Sequence, residues 1–100
     1  QTARGCLTLS SGTRGSLALA EQVHHRYLAV MEGRDRGIEV RGRHDRGGRS
    51  LWLGKPPAIM TEPFFGSIPE ECRRADARID QLAEAIYRGS LEFSQLPANA

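Results

Sequence analysis

Between Ser67 and Gly89 the apolar residues Cys72, Ala75, Ile79, Leu82 and Ile86 recur at intervals of three, four, three and four. Only a helix gathers such residues on one side, and a stripe that long must be covered by another element or another chain. Ser67-Ile68-Pro69-Glu70 supplies a start: a serine able to accept from a first-turn amide, a glutamate three residues on, and a proline where no amide is needed. Gly89 supplies a stop, so a helix is expected over 68–88 with a heptad-like seam. Glu70–Arg74 and Glu84–Arg88 are i,i+4 pairs in the favourable order.

A second helical stripe runs from Leu17 to Glu32. Ala20, Val23, Tyr27 and Val30 mark it, Leu28 and Met31 widen it, and Gly33 ends it. The turn "GTRGS" (12–16) precedes it, with Ser16 as the expected N-cap. It lacks the lysine of a nucleotide-binding phosphate loop. Around the helices the period changes from 3.6 to 2. Residues 4–11 alternate Leu7 and Leu9 with polar neighbours, and Ile38, Val40, Leu51 and Leu53 alternate in two further segments. "DRGG" (45–48) between those segments suits a tight turn, so 37–54 is expected as a hairpin. Its core side would hold the four aliphatic residues, and its outer side Arg41, Arg43 and Trp52.

The expected order is β-α-β-β-α, and the expected fold class is α+β: a small antiparallel sheet with two helices packed on one face. With 100 residues the chain is expected to make one domain over 1–89 followed by a C-terminal tail, 90–100.

Thirteen of the 14 basic residues are arginine, Lys55 being the exception, and the net charge is +2. A total so modest says little, but "RGRHDRGGRSLW" (41–52) concentrates the charge beside the single tryptophan. Guanidinium groups for phosphate and an indole for stacking are what single-stranded nucleic acid binding uses. Arg41, Arg43, Arg46, Arg49 and Trp52 are therefore the candidate nucleic-acid residues.

Catalytic patterns are sparse. There is no G-x-S-x-G. Cys6 and Cys72 fall outside any C-x-x-C spacing, and whether they are bonded or free stays open, buried thiols being the default. His24 and His25 point about 100° apart on a helix and cannot share one metal as neighbours. Glu70 and Glu71 read as first-turn acids. No catalytic residue, metal or cofactor is assigned.

The functional expectation is a non-enzymatic binding module working through protein–protein contacts, as a homodimer or a subunit of a larger assembly. Met60, Phe64 and Phe65 on the proline-stiffened segment 55–66 would carry it, with Ile79, Leu82 and Ile86 on the second helix. The alternative is a small nucleic-acid-binding regulator. A third, a small enzyme with a site built across a dimer interface, would need His24 or His44 joined to a carboxylate in a pocket. No apolar run is long enough to span a bilayer. The chain begins at Gln1, so a processed or excised product is expected, and the cytoplasm is the default compartment.

Overall fold

A computed structural model describes residues 4–97. The elements are β1 (Cys6–Ser10), α1 (Arg14–Met31), β2 (Asp35–Val40), α2 (Gly48–Leu51), β3 (Ile59–Glu62), α3 (Pro69–Ala77) and α4 (Ile79–Ser94). The fold is α+β with one small sheet, as the patterning implies. The sheet is mixed rather than antiparallel. Its order is β2-β1-β3, with β1 parallel to β2 and antiparallel to β3. The cause is α1, which returns the chain so that β2 runs alongside β1 in the same direction, a β-α-β unit.

β1 is the middle strand, and all five of its residues are buried. On one face Leu7 and Leu9 pack with Leu51, Ala58 and Met60. On the other, Cys6 joins Val23, Tyr27 and Met31 of α1 with Ala75, Leu82 and Ala85. The short alternation in the sequence therefore marks a strand covered on both sides, with Thr8 and Ser10 buried as well.

The expected hairpin over 37–54 does not form. Residues 42–48 close into a local turn instead: Asp45 accepts from the Gly42 amide through Oδ2 (2.6 Å), and Gly48 donates to the Asp45 carbonyl (2.8 Å). Gly48 has no room for a side chain, since a Cβ there would lie 1.8 Å from the Gly42 carbonyl oxygen. The chain leaves this turn as the single helical turn α2, which buries Leu51, while Val40 and Leu53 stay exposed. Two leucines two apart are too few to separate a strand from one turn of helix. The third strand comes from the proline-flanked segment 59–62.

The helix expected over 68–88 is broken at Arg78, whose φ and ψ are −118° and 25°. Arg74 and Arg78 reach back to the end of α1, where helix carbonyls lack internal partners. Arg74 Nη1 donates to Met31 O (3.2 Å) and Arg78 Nη1 to Val30 O (2.6 Å). The break lets α4 lie along α1 on Leu82, Ala85 and Gly89, and it leaves Ile79 59% exposed. Gly89 is thus no helix stop. A Cβ there would sit 2.7 Å from Gln22 O and Val23 Cα, so glycine sets how closely the helices approach. α4 continues to Ser94, so residues 90–94 are helix rather than tail, and 98–100 lie outside the described residues. At the other end of α1 the N-cap is Thr13, which accepts from Ser16 N. The Ser16 hydroxyl instead accepts from the Ala58 amide, 3.1 Å away.

Helix propensity alone would favour Gly89→Ala by about 1 kcal/mol. Overpacking against backbone costs about 1–3 kcal/mol and should win. The expected outcome is a lowered thermal midpoint for Gly89→Ala; a raised midpoint would refute the close helix approach.

Candidate functional site

The polar interior of β1 and α1 holds the one hydroxyl–imidazole–carboxylate series described. His24 Nδ1 lies 2.8 Å from Thr8 Oγ1, and His24 Nε2 lies 2.8 Å from Asp35 Oδ1. Tyr27 OH bonds Thr8 Oγ1 and donates to the Leu7 carbonyl. The residue types match those of a nucleophile, base and orienting acid. Burial decides against that role, because Thr8 is 0% exposed and its hydroxyl is already shared with Tyr27. The series is a fastening between α1, β1 and β2. His24 is inside and His25 exposed.

The Tyr27 hydroxyl anchors the series to the Leu7 carbonyl, and the imidazole bridges Thr8 to the Asp35 carboxylate. Asp35 feels the same arrangement: the His24 hydrogen bond first, then the Gly37 amide, hold its carboxyl below the usual value.

The other titratable groups nearby are equally committed. Cys6 donates to Pro63 O (3.2 Å), and burial, followed by the charges of Glu71 and Asp35, pushes its thiol up to about 11. Such a thiol is no nucleophile near neutrality. Both cysteines are free. Glu71 is more than a first-turn acid, for its carboxylate accepts from Gly5 N and Phe65 N, both at 3.0 Å. Burial also raises the Tyr27 phenol, to about 12.

The carboxyl ends of β1 and β2 lie elsewhere, and ligands of parallel strand–helix units gather at such ends, here called the mouth. Arg41 N donates to Ser10 O there (2.8 Å), which starts the arginine-rich loop at the mouth. Of the residues expected on a hairpin face, Arg41, Arg43 and Trp52 do come together, through a loop and α2. Trp52 Nε1 donates to Arg41 O (2.9 Å), and the Arg43 guanidinium sits 5.7 Å from the indole centroid. Arg41 is engaged by Glu39, at 2.7 Å. Arg43 and Arg49 line a shallow pocket of about 470 Å3 with His44 and Asp45, and Arg46 is exposed beside it. A cleft of about 630 Å3 between α1 and α4, lined by residues such as Arg26, Ala29 and Ala85, lies apart from this mouth.

The residues expected to form a contact surface are mostly used within the chain. Leu82 is buried, Phe64 and Ile86 pack on the main core, and Met60 packs beneath α2. Phe65 carries the Arg36 guanidinium 4.6 Å from its ring centre. Ile79 alone of the six is largely exposed. Among the described residues no three of His, Cys, Asp and Glu gather as a metal-holding group, and no helix is long and apolar enough to cross a membrane. What the sequence did not flag is the pairing of Thr8, Asp35 and Glu71 with distant partners. The available signal was His24 beside the Ala20–Tyr27 stripe, since a buried histidine needs partners for both nitrogens.

One outcome follows. Because the Asp35 carboxyl is held low, its contribution to stability is present above the unfolded-chain value and is lost as pH falls through the folded one. Asp35→Asn should remove that part of the acid limb of a stability–pH curve, and an unchanged limb would refute it.

No protein-family model and no curated protein matches the sequence. Two solved structures share the fold. An N-acetylmuramoyl-L-alanine amidase from Clostridium difficile 630 is 32% identical with a TM-score of 0.80, over 94% of this chain and 50% of that one. The CwlD amidase from Clostridioides difficile, in complex with the GerS lipoprotein, is 19% identical with a TM-score of 0.79, over 96% of this chain and 49% of that one. The second likeness shows the fold alone. The chain spans about half the length of both. Both neighbours are amidases, which overturns the expected non-enzymatic, homodimeric contact module and the nucleic-acid regulator alike.

Proposed function

We propose that this chain forms part of an amidase-type domain that hydrolyses the bond between an N-acetylmuramoyl group and L-alanine. The observation that carries the reading is 32% identity to such an amidase across 94% of the chain, on a backbone with a TM-score of 0.80. In the reaction water adds to the acyl carbon, the carbon–nitrogen bond breaks, and a carboxylic acid and the free amine of alanine result. Barrier lowering requires a group that takes the water's proton and one that stabilises the developing oxyanion. Thr8 and His24 are too deeply buried to meet a substrate, and the carboxylate of the exposed Asp35 is held by His24, so the part of the series here is to hold α1 against the parallel pair. The substrate-facing part is the mouth at the ends of β1 and β2, with the loop 41–49 as its rim. A protein partner belongs to the reading as well, supported by the GerS lipoprotein bound to the CwlD neighbour.

Incubation of the protein with an N-acetylmuramoyl-L-alanyl peptide should release peptides that begin with a free alanine amine, read by amine labelling and mass spectrometry. No such termini above a no-protein control, or new sugar reducing ends instead, would overturn the reading.

A further inference from the structure

The rim of that mouth holds more positive charge than the fold uses. Arg43, Arg46, Arg49 and Lys55 are exposed, and among the described residues none of them forms an ion pair. Of the nearby acids, Glu39 is taken by Arg41, and Asp45 lines the same pocket with its charge intact, so the four cations still outnumber it. Trp52 stands among them 37% exposed, and its orientation is held from one edge by the bond from Nε1 to Arg41 O. Fixed aromatic planes bind the apolar face of a pyranose ring, and guanidinium forks bind carboxylates in two-pronged fashion. The two features lie within one loop and one helical turn.

We propose that Arg43, Arg49 and Trp52 form a substrate-binding subsite for a carboxylate-bearing peptide attached to an amino sugar. The inference rests on the amidase reading, because N-acetylmuramoyl-L-alanine joins these two chemistries: a sugar ring, and an amino acid whose own carboxyl, or that of the peptide it begins, stays ionised. Arg43 and Arg49 flank the same shallow pocket, so one carboxylate can reach both. Trp52 then takes the sugar on the ring face that the Arg43 guanidinium leaves open. Within this arrangement the three are binding residues, and none acts on the scissile bond. Charge complementarity favours this occupant, and the loop's turn, braced by Asp45 and the Gly47-Gly48 pair, keeps the pocket formed without a ligand.

The test is co-sedimentation of the protein with insoluble peptidoglycan, native and after conversion of its carboxyl groups to amides. Wild-type protein should bind the native wall, weaken as salt rises, and lose roughly tenfold in affinity on the amidated wall. The double variant Arg43→Gln/Arg49→Gln should lose about as much on the native wall and be indifferent to amidation. Both arginines are exposed and make no ion pair, so the variant keeps its fold, which circular dichroism checks. Equal binding of the native and amidated walls, or of wild type and variant, overturns the proposal. Binding abolished by stripping phosphate polymers from the wall, and not by amidation, also overturns it. Hydrolysis followed in the same samples separates the two ideas. Release of alanine-led peptides without patch-dependent binding removes the subsite and keeps the activity; patch-dependent binding without release does the reverse.

Discussion

The structure depends on how a strand buried on both faces can contain polar side chains. β1 places Thr8 and Ser10 in the interior, where an unbonded hydroxyl costs on the order of 1–3 kcal/mol. The remedy for Thr8 is the hydrogen-bonded series from Leu7 O through Tyr27, Thr8 and His24 to Asp35. It spans three elements, so it fixes the roll of α1 over the sheet as well as the height of β2 beside β1. Once α1 is held this way, the parallel pair and its carboxyl-end mouth are determined, and the arginine-rich loop emerges at that mouth. Leu9 and Leu7 meet Leu51 on the opposite face, which seats α2 and with it Arg49 and Trp52.

The helical layer follows from a different device. α1 ends with carbonyls that solvent or side chains must satisfy, and Arg74 and Arg78 do so from α3 and its end. The bend at Arg78 turns a heptad-like stripe into two shorter ones, and the face that meets α1 becomes Leu82, Ala85 and Gly89. A single continuous helix would have kept Ile79 in the seam and sent Gly89 past its end. Hydrophobic spacing alone carries no sign of this, because the arginines act through side chains on carbonyls 43 and 48 residues away.

How much could be read from the residues varied in the same physical way. Long periodic segments were legible: α1 lies where its stripe of Ala20, Val23 and Tyr27 puts it, and β1 where Leu7 and Leu9 alternate. Short apolar pairs were not, since Leu51 and Leu53 fit a strand and a helical turn equally. The clustering of Arg41, Arg43 and Trp52 was legible as charge beside an aromatic, although a loop and a helical turn deliver it and not a hairpin. Its chemistry was not legible, because guanidinium and indole groups serve phosphate, carboxylate and sugar alike. The polar fastening was not legible, as Thr8, His24 and Asp35 meet only through the fold. The amidase likeness lies in identities spread over 94% of the chain and in the backbone arrangement, which no short motif announces.

If the fastening governs the fold, Thr8 and Asp35 must influence each other although they touch only through His24. A double-mutant cycle with Thr8→Val and Asp35→Asn, followed by denaturant unfolding, measures that influence directly. The account predicts non-additivity on the order of 1 kcal/mol, the double variant losing less than the sum of the single losses. Strict additivity would mean that the contacts are independent, and that the series does not set the position of α1.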